Sequence, residues 1–221
     1  MDCSPSSPTP SRRAGSPKGT QEADTRAVGL LGGTFDPPHV GHVRVAAAAR
    51  EALGLEQVRF VPASVPPGKE DRRLTPGALR LEMVEAAVAG VDGLAADDIE
   101  LRRGGVSYTV DTLRALREAE PDVDWHLLVG VDQFASFGRW KEPAEIARLA
   151  RLCVLDRGGR GAGSVDPGVE VPYRRVEVPR IDVSSTEVRR RARAGLPLAG
   201  LVPPAVERII EREGLYCEGR D

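Results

Sequence analysis

Four short apolar runs, residues 27–32 (AVGLLG), 57–61 (QVRFV), 125–129 (WHLLV) and 152–155 (LCVL), recur along the chain with helix-patterned stretches between them. Runs this brief and this rich in Val and Leu read as strands buried on both faces. The intervening stretches carry helix marks. Residues 40–53 are rich in alanine, 76–89 open on a proline suited to a first turn, and 109–119 set Val110, Leu113, Leu116 and Arg117 at helical spacing. This β-α-β-α order restricts the chain to a parallel sheet covered on both faces by helices, with right-handed crossovers. The expected class is α/β, a Rossmann-like doubly wound parallel sheet in a single domain, and such sheets take ligands beyond the carboxyl ends of their strands. Closing helices are expected at 184–194 and 204–213, the second with proline at its start and Gly214 just past its end. No repeat at a solenoid or propeller period interrupts the pattern.

At 221 residues the chain can close a core without disulfides or structural metals. Basic and acidic residues number 31 and 33, so no net positive field gathers nucleic acid or an anionic membrane, and neither partner is expected. No apolar run approaches the roughly 18–20 residues that span a bilayer. Three cysteines, Cys3, Cys153 and Cys217, without a CxxC pair fit a reducing, cytoplasmic setting. The 24 glycines and 18 prolines are a surplus that has to be located. Part lies in residues 1–26, where four prolines and five serines occur without Leu, Ile, Val or an aromatic ring. That segment is expected to be a disordered tail, with 27–221 as the folded domain. It has neither the apolar stretch of a secretory signal nor the acid-poor composition of a transit peptide. Another part lies in residues 157–168 (RGGRGAGSVDPG), expected to be a mobile surface loop, whose glycines match neither GxGxxG nor a P-loop.

The stretch richest in chemistry is Gly32-Gly33-Thr34-Phe35-Asp36-Pro37-Pro38-His39-Val40-Gly41-His42, between the first expected strand and the first expected helix. Backbone amides and the helix dipole together favour a phosphate at such a junction. Gly32 and Gly33 let a polyphosphate approach the main chain without a Cβ in the way, and Thr34 adds a hydroxyl. His39 and His42 lie three residues apart at a helix start, so both rings can point to one side of the turn, which Gly41 keeps open. Imidazole N–H groups placed there can donate to oxygens that gain charge during phosphoryl or nucleotidyl transfer. A zinc site would need more ligands than the scattered cysteines and His126 supply. A capping role for His39 stays open. Farther along, Ser184 followed three residues later by Glu187 forms a capping box and so marks another helix N-terminus. It is either a phosphate site with Arg189 or a plain cap; Arg190, Arg191 and Arg193 read as a solvated face.

GGTFDPPHVGH closely resembles the first signature of the nicotinate-nucleotide adenylyltransferases, a branch of the HxGH nucleotidyltransferases. Ser107-Tyr108-Thr109-Val110-Asp111-Thr112 resembles the family's SYTxDT segment, Gly130-Val131-Asp132 with Trp140 its GxD…W segment, and Val183-Ser184-Ser185-Thr186-Glu187-Val188-Arg189 its ISSTxIR segment. The resemblance implies a fold of the nucleotidyltransferase type and transfer of AMP from ATP to nicotinate mononucleotide. Nicotinate adenine dinucleotide and pyrophosphate would form by direct attack, without a covalent enzyme intermediate. It implies that Gly32, Gly33, Thr34, His39 and His42 hold the ATP phosphates, with Ser184, Ser185, Thr186 and Arg189 as the opposite wall. His39, His42 and Arg189 would carry catalysis. Asp132 would bind a ribose hydroxyl, although an Asp there serves equally as a helix cap.

Trp140 would stack on the pyridine ring, with Phe35, Lys69, Thr109, Asp111 and Lys141 completing the acceptor site. Its polar neighbours (GRWKE) suit an exposed ring, whereas Trp125 inside WHLLV suits the core. Mg²⁺ is expected to arrive on ATP, without a dedicated protein cage. One departure stands out: Pro66-Pro67-Gly68-Lys69 occurs where the family usually has Pro-Pro-His-Lys, so Lys69 remains as a cation while an imidazole is replaced by a flexible residue. Competing readings are an adenylyltransferase for nicotinamide mononucleotide or phosphopantetheine, and a nucleotide-binding regulator without turnover.

Overall fold

The computed structural model describes residues 26–68, 71, 73–158 and 165–217, together with Met1. The rest of the proline- and serine-rich segment 1–26, Lys69 and residues 159–164 of the glycine-rich segment lie outside the described residues. Six strands, β1 (Ala27–Gly33), β2 (Gln57–Pro62), β3 (Leu94–Ala96), β4 (Asp124–Gly130), β5 (Arg151–Asp156) and β6 (Tyr173–Glu177), form one sheet in the order β3-β2-β1-β4-β5-β6. Every pairing is parallel. The helices are α1 (Val40–Leu53), α2 (Gly77–Val88), α3 (Ile99–Arg103), α4 (Thr109–Ala119), α5 (Val131–Phe134), α6 (Pro143–Leu149), α7 (Ser185–Arg193) and α8 (Pro204–Glu213), with a 3₁₀ turn at Phe137–Arg139.

Period-two alternation sends each central strand into two cores. Along β4, Trp125, Leu127 and Val129 pack with Val110, Leu113 and Leu116 of α4 and Ile146 of α6. Leu128 points the other way, to Val45, Ala46 and Ala49 of α1 and Val84 and Val88 of α2. Complete burial of each such Leu or Val stabilises by roughly 1.5–3 kcal/mol, which is why the apolar runs become central strands. A third cluster joins α2, α7 and α8 through Met83, Val188, Val206 and Ile210. It seats the two closing helices on the α2 side of the sheet.

The structure adds elements that the apolar pattern does not announce. β3 has three residues, too few to form a run, and β6 buries only Val176 of its five. The helices α3, α5 and α6 have five, four and seven residues, too few turns to establish a period. Pro76 proves to be the N-cap of α2 rather than a first-turn residue.

Strand order reverses between β1 and β4, and there the sheet parts. β1 pairs with β4 only from Ala27–Asp124 to Leu30–Leu127. Beyond that point β1 keeps β2 as partner to Gly33, and β4 keeps β5 to Gly130. The carboxyl ends of the two central strands thus diverge into a cleft at the switch point, where doubly wound sheets bind ligands.

Candidate active site

The turn leaving β1 is shaped by ring packing. A Cβ on Gly32 would meet nothing within 4 Å, so this position opens to the cleft. Gly33 is glycine for another reason: a Cβ there would lie 2.9 Å from the Phe35 ring. Phe35, at φ 48°, is 3% exposed, and its ring meets His42 edge-on at 5.0 Å. Its side chain therefore supports the histidine from within the core. A Cβ on Gly41 would approach His39 Cε1 and Nδ1 at 3.0 Å, so the glycine between the histidines makes room for the first ring.

The two imidazoles stack, with centroids 3.6 Å apart and planes inclined by 19°. His42 Nδ1 accepts the His39 amide at 3.2 Å, which leaves the proton of a neutral ring on Nε2, a donor. His39 Nδ1 is buried and has no hydrogen-bond partner among the described residues. Burial first, and then the charge of Arg157, lower the His39 pKa to about 4. Burial, the neighbouring imidazole and Arg157 hold His42 well below its ordinary value. Near neutral pH the pair is uncharged and suited to donate hydrogen bonds rather than protons.

The N-terminus of α7 docks on this turn. Ser185 Oγ donates to the Pro37 carbonyl at 2.8 Å, and Arg189 Nη1 donates to the Asp36 carbonyl at 2.6 Å. Arg189 Nη2 also reaches Thr186 Oγ1 at 3.3 Å. Ser184 caps the helix by accepting the Glu187 amide at 3.2 Å. The expected capping box is only half formed, because the Glu187 carboxylate turns to Arg190 at 2.7 and 2.8 Å instead of returning to the cap. The first and fourth signatures, about 150 residues apart in sequence, are thereby brought into contact.

The other candidates collect beyond β4. Asp132 is exposed in the first turn of α5, directly past the strand. Thr109 opens α4. The Trp140 ring is half-buried and 5.3 Å from Phe137. Asp111 and Lys141 pair with each other at 2.9 and 3.1 Å, and the ammonium lies 4.8 Å from the Tyr108 ring centroid. Their side chains brace the Trp140 turn against α4. Gly68 has φ 71°, a left-handed conformation in which histidine would be strained, so glycine at this place in the loop matches its backbone.

Sequence reasoning passed over Arg80, Arg157 and Tyr216. Arg80, 2% exposed on α2, donates to the carbonyls of Thr75, Thr34 and Ser64 at 2.9, 2.9 and 3.2 Å. It ties the turn after β1 to the loop after β2. Ser107 extends the tie by accepting the Ser64 amide at 2.8 Å. A lone arginine among the apolar residues of GALRLEMV was the available signal. Nothing in the sequence marked Arg157 or Tyr216. A separate depression of about 450 Å³ lies along α1 between Val43, Ala87 and Pro204, but neither histidine lines it.

Residues 30–191 match the cytidylyltransferase-like family. Curated relatives carry the name "Probable nicotinate-nucleotide adenylyltransferase". The one from Herpetosiphon aurantiacus is 40% identical over 194 residues, which cover 86% of this chain and 98% of that protein. The one from Gemmatimonas aurantiaca is 41% identical over 198 residues, covering 86% and 92%. The chain belongs to the nicotinate-nucleotide adenylyltransferase family. Among solved structures, a Plasmodium falciparum nicotinic acid mononucleotide adenylyltransferase complexed with NaAD superimposes with a TM-score of 0.70 at 18% identity, covering 86% of this chain and 97% of that one. The same enzyme complexed with APC gives 0.69 at 17% identity, again over 86% and 97%. These likenesses establish the doubly wound nucleotidyltransferase fold for the family member described here.

Proposed function

We propose that this chain transfers the adenylyl group of ATP to the phosphate of nicotinate mononucleotide, releasing pyrophosphate and forming nicotinate adenine dinucleotide for NAD biosynthesis. Beyond family membership, the observation that carries the reading is the stacked, uncharged pair His39 and His42, in the turn whose Asp36 carbonyl accepts Arg189, where β1 and β4 part. An oxygen of the mononucleotide phosphate attacks the α-phosphorus of ATP. The bond to the bridging oxygen breaks, and pyrophosphate leaves with the electron pair. The attacking phosphate is already ionised near neutral pH, so no residue has to remove a proton; positioning and charge stabilisation supply the rate.

In this reading the main chain at Gly32, Gly33 and Thr34 receives the ATP phosphates at the N-terminus of α1. His39 and His42 donate N–H groups to oxygens that gain charge, which uncharged imidazoles do without giving up a proton. Ser184, Ser185, Thr186 and Arg189 form the facing wall, and Asp132 takes a ribose hydroxyl. Trp140 stacks on the pyridine ring. With the Asp111 and Lys141 side chains paired to each other, the nicotinate carboxylate falls to main-chain amides near Thr109 and Lys141. Lys69 adds a cation from the loop after β2, and Phe35 acts through its packing on His42. Mg²⁺ arrives as Mg·ATP, where it neutralises phosphate charge. We further assign residues 27–221 to a single catalytic domain and the enzyme to the cytoplasm. No described helix is long and apolar enough to cross a membrane.

The test measures pyrophosphate release from Mg·ATP with nicotinate mononucleotide, nicotinamide mononucleotide or phosphopantetheine as acceptor. Preference for the acid nucleotide is expected, and its absence sinks the assignment. His42→Ala is expected to lower kcat by about 100-fold or more. Turnover near the parent level would remove the proposed role of that ring.

A further inference from the structure

One partly buried polar group that contacts the first turn belongs to no signature. Tyr216, on the segment after α8, donates its hydroxyl to Asp36 Oδ1 at 2.6 Å, and Thr75 Oγ1 lies 3.2 Å from the same hydroxyl. Asp36 is 6% exposed, and its Oδ2 meets the Thr75 amide at 3.5 Å, the outer limit of a hydrogen bond. Burial, with the adjacent carboxylate, pushes the phenol pKa up, so the hydroxyl stays a donor. Tyr216 has φ 64°, a left-handed conformation that a residue with a side chain adopts only when its surroundings enforce it.

The carbonyl of the same Asp36 accepts Arg189 at 2.6 Å, and the next carbonyl, Pro37, accepts Ser185 at 2.8 Å. Asp36 is therefore clamped through its side chain by Tyr216 and through its main chain by α7. We propose that Tyr216 is a positioning residue for the ATP half of the site: by holding the Asp36 carboxylate it sets the spacing between the His39–His42 pair and Arg189. The inference rests on the proposed ATP site. The acceptor half has its own braces, Asp111 to Lys141 and Phe137 to Trp140, so the effect of Tyr216 is selective for ATP.

In the full-length chain, Tyr216→Phe retains the ring and removes the hydroxyl. Calorimetry with Mg·ATP alone is expected to show about tenfold weaker binding. Pyrophosphate release is expected to show the KM for ATP raised by a similar factor while the KM for nicotinate mononucleotide stays within about twofold. In an Asp36→Ala background, which removes the acceptor, removing the hydroxyl is expected to add less than about twofold, because the two groups act as one unit. Unchanged ATP binding overturns the proposal, as does an equal shift for both substrates, full additivity of the two substitutions, or a lower melting temperature with ATP affinity intact. The calorimetric arm needs no acceptor. Failure of nicotinate mononucleotide as substrate would thus count against the proposed reaction and leave the Tyr216 comparison decisive.

Discussion

The uncharged state of the histidine pair has a stability consequence with a definite sign. His39 has a folded pKa of about 4 against an ordinary value of 6.5. Between these values the unfolded chain binds a proton that the folded chain refuses, so unfolding becomes easier as pH falls. The stabilisation is complete above pH 6.5 and is lost progressively toward pH 4. Each unit in this window costs up to about 1.4 kcal/mol, and the integrated loss from pH 7 to pH 5 is about 2 kcal/mol for His39 alone. His42, depressed for the same reasons, adds in the same sense. The perturbation is His39→Gln, which replaces the ring by a group that does not titrate and also removes its repulsion on His42. Urea denaturation of both chains at pH 7 and pH 5 is expected to show a drop smaller by about 2 kcal/mol in the variant. An identical drop in the two chains would refute the claim that His39 is buried uncharged.

Three further outcomes are expected. Gly41→Ala places a methyl 3.0 Å from the His39 ring and should lower kcat/KM for ATP by about 100-fold in steady-state assays, through misplacement rather than lost contact. Gly138→Ala drives a methyl to 2.7 Å from the Pro167 carbonyl, which accepts the Gly138 amide. The turn it disturbs carries Phe137 and Trp140, so the KM for nicotinate mononucleotide should rise by about tenfold with that for ATP little changed. Arg59→Ala removes a guanidinium that grips both Glu120 oxygens at 2.6 and 2.8 Å and lies 5.1 Å from the Trp125 ring centroid. Because Glu120 keeps some access to solvent, the loss in urea denaturation should be about 2–3 kcal/mol, with kinetic constants unchanged.

Legibility in the sequence followed the amount of apolar surface each element buries. The segments at β1, β2, β4 and β5 were readable because their Val, Leu, Phe and Trp side chains enter one core or the other. The helices α1, α4 and α8 end where the pattern and its glycines or prolines say they should. The edge strand β6 (YRRVE) was invisible because one face packs on the sheet through a single valine. Within the site, the motifs named residues but not their division of labour. Gly33 answers to Phe35, Gly41 to His39, and the Asp111 and Lys141 side chains to each other. Lys69, as a candidate, lies outside the described residues and stays a proposal.

The sequence alone determined the alternation of strand and helix, and therefore the sheet class, since period and burial are local properties of a segment. It also determined the family, because four ordered motifs carry their chemistry in residue type and spacing. Tertiary structure decided what depends on groups far apart in the chain. The parting of β1 and β4 depends on which strands run out of partners. The depressed histidine pKa values depend on burial and on a charge from the end of β5. The setting of Arg189 depends on a carbonyl 153 residues away, on an aspartate that Tyr216 holds from a position 180 residues beyond it. Long-range contacts of this kind leave no periodicity and no local composition to read.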